Sequence, residues 1–90
     1  MRAIVSVLGK DKPGIIAKVS GVLYEVNANI LDITQTVLRE EFFVMTMLVD
    51  LSAINTSFEE IKQKMQHASE QIGMEIKLQR EEIFKSMHRV

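Results

Sequence analysis

The order of apolar spacings along the 90 residues constrains the fold more than any other feature of this chain. Apolar residues recur at every second position or in β-branched runs, which predict strands, or every three to four positions, which predict helices. The resulting order is strand, helix, strand, strand, helix, strand, over residues 3–8, 15–26, 30–38, 42–51, 58–72 and 74–79. A short polar turn, Arg39-Glu40-Glu41, joins the second and third strands into a hairpin.

This order predicts an α+β fold, the ferredoxin-like βαββαβ sandwich, in which two helices cover one face of a four-stranded antiparallel sheet. A chain of this length supplies one domain, residues 1–90. Residues 82–90 are a short C-terminal tail, in which Ile83, Phe84 and Met87 have the apolar spacing of one helical turn.

The composition argues against several classes of function. A net charge of −1, with both signs mixed along the chain, disfavours a nucleic-acid partner, because phosphate contacts need clustered Lys and Arg. The absence of cysteine excludes a disulfide framework and a cysteine-based metal site. No apolar run approaches the ~18 residues of a membrane span, so we expect a cytoplasmic protein with no membrane partner. Neither His67 nor His88 has a second ligand at metal-binding spacing, so we expect no metal and no cofactor.

Enzyme signatures are also missing from the pattern. Ser6 and Ser20 have no histidine partner that the spacing suggests, and there is no Gly-x-Ser-x-Gly motif. An acylphosphatase-type enzyme, which shares this fold and size, needs an arginine in the first strand–helix turn. That turn offers only Lys10 and Lys12, which lack the bidentate fork of arginine. We therefore predict a protein with no catalytic residues.

The turn between the first strand and the first helix is the most informative segment for binding. It contains Asp11, Lys12, Pro13, Gly14, Ile15 and Ile16. We expect Pro13 at the first helical position, where its missing N–H costs nothing. A helix N-terminus favours a carboxylate or phosphate, and a glycine there allows close approach to the backbone. The alternative role of Gly14 is to let the helix pack closely on the sheet.

A second candidate segment lies at the start of the second strand, at Asn29, Ile30 and Asp32. Asn29 offers both a donor and an acceptor, and Asp32 could receive an ammonium group. Strict alternation would place Ile30 on the same face as Asp32. We expect this end of the strand to lie near the first turn of the same subunit or of a second subunit. The alternative is a helix-exit asparagine followed by a solvated carboxylate.

The sheet face opposite the helices is expected to be apolar, through Ile4, Leu8, Phe42, Val44 and Leu48. An exposed patch of this kind usually marks an interface. Either a second chain covers it, which favours a C2 homodimer, or the apolar tail folds across it. RNA binding through the sheet is disfavoured, because Phe42 and Phe43 face opposite ways and form no stacking platform.

Two stretches together resemble the ACT domain family: Gly-Lys-Asp-Lys-Pro-Gly-Ile-Ile at 9–16 and Asn-Ile-Leu-Asp-Ile-Thr-Gln-Thr at 29–36. With the Ile83-Phe84 tail, they resemble the free-standing UPF0237 group of short ACT proteins. The first half is also similar to ACT domains of the glycine cleavage system repressor and of formyltetrahydrofolate hydrolases.

The resemblance implies a regulatory domain that binds an amino acid or related small molecule at a subunit interface. Asp11, Lys12, Pro13, Gly14, Ile15 and Ile16 would form the binding loop, and Asn29 and Ile30 the facing strand. The chain carries no catalytic or DNA-binding domain of its own, so its output would pass through a separate protein partner. The alternative function is a protein-interaction module that uses the open sheet face and binds no small molecule.

Overall fold

A computed structural model describes residues 1–82 and confirms the predicted order of elements. The elements are β1 Arg2–Lys10, α1 Ile15–Glu25, β2 Asn29–Leu38, β3 Phe42–Asp50, α2 Phe58–Ile72 and β4 Glu75–Arg80. The four strands form one antiparallel sheet in the order β2-β3-β1-β4, with both helices on one face. This is the ferredoxin-like sandwich that the spacing predicts.

The core lies between the sheet and the two helices. In β1 the side chains of Ala3, Val5 and Val7 are buried, because β1 has a neighbour on each side and helices above it. Every second residue of β3 faces the same core. The apolar faces of α1 and α2 close the core from the other side. The buried helical residues are Ile15, Val19, Val22, Leu23, Ile61, Met65 and Ala68.

The two helices begin in different ways. Helix α2 begins after Ser57, whose side-chain Oγ accepts the N–H of Glu60 at 3.1 Å, as the capping spacing predicts. Helix α1 begins after Gly14, which has a left-handed φ of 88° and no side chain to accept an N–H. The expectation for Pro13 is wrong: it precedes the cap and is not the first helical residue, because the chain needs a left-handed turn between Pro13 and the helix.

Strand β2 is one of the two edge strands of the sheet, with β4 at the other edge, and all ten of its residues are exposed. A β-bulge between Ile30 and Asp32 inserts Leu31 as an extra residue. Ile30 therefore lies opposite Val49 and shares the helix-side face with Ile33, whereas Asp32 lies on the opposite face. The strict alternation predicted for this strand is wrong at Ile30, because one inserted residue reverses the order of faces.

The sheet face opposite the helices carries the expected apolar residues. Ile4 lies opposite Leu48, and Leu8 lies opposite Val44. All four residues are on the sheet face that points away from the core. Exposure is uneven along this face: Ile4 is 8% exposed, whereas Leu8 and Phe42 are 48% and 46% exposed. The open apolar patch therefore lies at the hairpin end of the sheet. The apolar tail residues Ile83, Phe84 and Met87 lie outside the described residues.

Two glycines should respond in opposite ways to the same substitution. Gly21→Ala places a methyl group in open space on α1 and should raise the free energy of unfolding by about 1 kcal/mol, because alanine favours helix. Gly73→Ala should lower it by about 1 kcal/mol, because Gly73 ends α2 with a φ of 66°. Urea denaturation of both variants measures the changes, and a shift of equal sign would contradict this account of the helix ends.

Candidate functional site

An open depression lies where α1 meets the sheet. It has a volume of about 250 Å³ and is lined mostly by apolar atoms of Asp11, Lys12, Gly14, Ile15, Ile16, Ala17 and Phe43. Five of the predicted binding residues are therefore brought together. Pro13 is not part of the lining. The sequence analysis did not name Phe43 or Ala17 as binding residues. Two features of the pattern indicate them: Ala17 is the third residue of α1, and Phe43 is on the helix-side face of β3.

The first turn of α1 leaves its backbone donors available. Gly14 provides no side-chain cap, and no acidic residue lies in the first turn. Within residues 1–82 no acceptor is bonded to the N–H groups of Ile15, Ile16 or Ala17. Helix α2 has both a serine cap and two acidic residues in its first turn. The α1 terminus thus presents positive partial charge to the depression, because unpaired N–H groups and the helix dipole add there.

The geometry distinguishes the two roles considered for Gly14. A Cβ atom at Gly14 would meet no atom within 4 Å, so this glycine does not serve close packing of helix on sheet. A glycine is needed at this position because the backbone has a positive φ, and the absence of a side chain keeps the space in front of the helix open. A glycine that does allow close packing is Gly9, where an added Cβ would lie 2.6 Å from the Sδ of Met74.

Two hydrogen bonds hold the predicted binding loop, residues 11–16, in place. The Nζ of Lys12 donates to the carbonyl oxygen of Ile72 at 2.6 Å, so Lys12 caps the C-terminal end of α2. The N–H of Asp11 donates to the carbonyl oxygen of Glu41 at 2.6 Å, in the turn between β2 and β3. The ammonium group of Lys12 therefore has a partner within the chain, and the loop is tied to both α2 and the hairpin.

The second predicted segment lies at the opposite end of the sheet. Asn29 is opposite Asp50, whereas the loop follows Lys10, which is opposite Phe42. A ten-residue strand separates these ends by about 30 Å. Asn29, Ile30 and Asp32 therefore cannot contact the α1 N-terminus of the same subunit, and only a second copy could bring the two segments together.

The polar groups near the start of β2 are locally bonded. The Oδ1 of Asp32 accepts the N–H of Ile33 at 2.9 Å. Asp50 accepts the hydroxyl and the backbone N–H of Ser52, and these hydrogen bonds lower the pKa of Asp50 below its ordinary value. A carboxylate thus stays ionised opposite Asn29 at neutral pH.

Another depression in the described part of the chain, larger than the one at α1, lies between the two helices. This groove has a volume of about 310 Å³, and Lys18, Glu25, Glu60, Lys64 and His67 are among its lining residues. None of the predicted binding residues lines it.

Among residues 1–82 no three His, Asp or Glu side chains lie close enough to hold a metal ion. No helix in the same range is long and apolar enough to cross a membrane.

Comparison with known proteins identifies the family of this geometry. The sequence profile of the ACT domain family matches residues 2–79. The UPF0237 protein MK1213 of Methanopyrus kandleri is 49% identical over 89 residues, which cover 99% of this chain and 98% of that protein. The solved ACT domain protein from Streptococcus pneumoniae has a TM-score of 0.80 and 39% identity, and the match covers 93% of each chain.

A third similar structure is the regulatory subunit of an enzyme. The ligand-free regulatory subunit of aspartate kinase from Thermus thermophilus has a TM-score of 0.67 and 26% identity. The match covers 87% of this chain and 50% of that chain. The resemblance seen in the sequence is thus confirmed by the family profile, a full-length relative and solved structures.

Lys12 should affect stability even without a ligand. Lys12→Met removes the donor at the α2 C-terminus and should lower the free energy of unfolding by about 0.5–1 kcal/mol, since a cation there complements the helix dipole. Lys10→Met removes an equal charge two positions earlier, at the end of β1, and serves as the control. Equal losses in the two variants, measured by urea denaturation, would contradict a capping role for Lys12.

Proposed function

Because this chain belongs to the ACT domain family, and to its UPF0237 group, we propose that it is a cytoplasmic regulatory protein that binds an amino acid between two copies of itself. The single observation that carries the proposal is the uncapped N-terminus of α1 in an open depression. The chain acts by presenting its ligand-bound form to a separate protein and has no catalytic role of its own.

The carboxylate of the ligand binds the first turn of α1. The N–H groups of Ile15, Ile16 and Ala17 have no bonded acceptor within the described residues, and no acidic side chain in that turn repels an anion. Such a contact is worth about 0.3–1 kcal/mol at an exposed helix end and up to about 2 kcal/mol when partly buried. The depression shields the contact on one side and raises it toward the upper value.

The side chain of the ligand lies against apolar surface. Ile16 is 39% exposed beside the helix start, and Phe43 forms the floor of the depression. Val37 is opposite Phe43 on the same face of the sheet and is 46% exposed. These residues continue the apolar lining from the depression to the open edge of the sheet.

The ammonium group of the ligand is received by a second copy. Two β2 strands that pair antiparallel bring the start of one strand beside the end of the other. Since the depression lies at the end of β2, near Leu38, it then faces Asn29 and Ile30 of the second copy. The amide oxygen of Asn29 accepts the ammonium group. The start of α1 and the Asn29 segment, which lie about 30 Å apart in one chain, therefore meet across the two-fold axis of the dimer.

The edge of β2 is suited to such a homodimer. Ile33 and Val37, on the helix side, are 43% and 46% exposed, and the strand has no neighbour on its outer edge. An exposed edge of this length is a template for strand pairing. A C2 pair would join the two four-stranded sheets into one.

A second candidate function rests on the other face of the sheet. Leu8, Leu38 and Phe42 are 48%, 51% and 46% exposed at the hairpin end. A separate protein that covers this patch would use the chain as an interaction module without a small ligand. Such a partner would leave the α1 N-terminus without a role.

A thermal-shift screen of amino acids tests ligand binding. A ligand at about one hundred times its Kd adds about 2.7 kcal/mol to stability. At about 4–8 °C per kcal/mol for a domain of this size, Tm should rise by about 10–20 °C. A screen of all common amino acids that leaves Tm unchanged would contradict the amino-acid ligand.

Variants of the helix start locate the ligand that the screen finds. Ala17→Glu places a carboxylate in the first turn of α1, so it should raise the Tm of the free protein and weaken ligand binding about tenfold. Ala17→Gln is the uncharged control. Gly14→Val should abolish binding and also lower the free energy of unfolding by about 1–2 kcal/mol, because a β-branched residue is strained at a φ of 88° although its Cβ meets no other atom. Unchanged affinity in both Ala17→Glu and Gly14→Val would contradict the site.

The dimer is tested with two matched lysine substitutions. Val37→Lys, on the β2 edge, should convert a dimer into a monomer in sedimentation equilibrium at micromolar concentration. Leu8→Lys removes an equally exposed apolar side chain from the opposite face and should leave the dimer intact. A wild-type monomer would contradict the dimer, and dissociation by Leu8→Lys alone would place the interface on the other face.

A further inference from the structure

The turn between β2 and β3 has an unusual backbone for its residues. Arg39 and Glu40 have φ values of 54° and 61°, and the turn is closed by the N–H of Glu41, which donates to the carbonyl oxygen of Leu38 at 3.1 Å. Hairpin turns with two left-handed residues normally use Asn-Gly, because other side chains are strained there. The chain thus places an arginine at the very end of β2 at some cost in stability.

An acidic residue occupies the other end of the same strand. Asp32 follows the bulge at Leu31 and lies on the face away from the helices. Its Oδ1 accepts the N–H of Ile33, which holds the carboxylate against its own strand and leaves Oδ2 for another donor. Neither Asp32 nor Arg39 forms an ion pair within residues 1–82. Asp32, near the start of β2, and Arg39, directly after its end, therefore carry opposite charges, and Glu40 and Glu41 follow Arg39 in the turn.

The faces of β2 restrict how two copies can pair. Residues directly opposite each other in an antiparallel pair share a face, so Ile33 must meet a helix-side residue of the second copy. When Ile33 lies opposite Val37 of the second copy, two apolar pairs form and Gln35 lies opposite itself on the two-fold axis. In this register Asp32 lies opposite Leu38 of the second copy, directly beside its Arg39.

We propose that Asp32 of each copy forms an ion pair with Arg39 of the other copy, and that the two pairs set the register of the β2 edges. This inference rests on the proposed dimer and deepens it. Asp32 then serves assembly, and Asn29 is left to receive the ammonium group of the ligand. Glu41, two residues after Arg39, accepts the N–H of Asp11, so the turn that carries Arg39 is bonded to the loop that lines the depression.

Charge reversal with mixed subunits tests the pair. Asp32→Arg and Arg39→Asp should each weaken self-association at low salt about tenfold or more, since two attractions become two repulsions. An equimolar mixture of the two variants restores both pairs in the heterodimer. Native mass spectrometry should therefore show heterodimers in large excess over either homodimer. Aspartate also tolerates the left-handed conformation at position 39.

Matched controls carry the same changes of charge in the groove between the helices. Glu25→Arg and Lys64→Asp should neither weaken the dimer nor favour heterodimers when mixed. A statistical mixture from Asp32→Arg and Arg39→Asp would overturn the ion pair. If Val37→Lys still dissociates the wild-type dimer in that case, the β2 interface stands and only the ion pair fails. A monomeric wild-type protein would overturn both.

Discussion

The arrangement at the start of α1 is the constraint on which the proposed binding site depends. Gly14 turns the chain with a left-handed φ of 88°, and a glycine has no side chain that can cap the helix. The donors of the first turn therefore remain open, while in α2 Ser57 accepts the N–H of Glu60 and two acidic residues lie in the first turn. Two helices of one small domain thus differ in the donors and the charge that their first turns present to an anion.

The sheet makes a single subunit insufficient for the proposed ligand. The α1 start and the Asn29 segment lie at opposite ends of β2, and the strand between them has an unpaired edge. In the proposed dimer the two segments come together, because an antiparallel partner strand runs in the opposite direction. The ligand, the edge and the hairpin turn are then parts of one interface, and occupancy of the site can be coupled to assembly.

The sequence predicted the fold well and the site only in part. Apolar spacing determines which segments are strands and helices, so the element order and the buried faces of β1 and β3 were accessible from the pattern. The bulge at Leu31 was not, because nothing in the local residues distinguishes an inserted position from ordinary alternation. The contact of Lys12 with Ile72 joins residues far apart in the chain, and periodicity carries no information about such contacts.

Isotope-filtered NOE spectroscopy tests the central claim most directly, namely that the open start of α1 faces the beginning of β2 from a second copy. A sample mixed from labelled and unlabelled chains reports only contacts between copies. Contacts from the Ile16 methyl groups of one copy to the Ile30 methyl groups of the other are the expected result. Intermolecular contacts confined to Leu8 and Phe42, with none at Ile16 or Ile30, would contradict it.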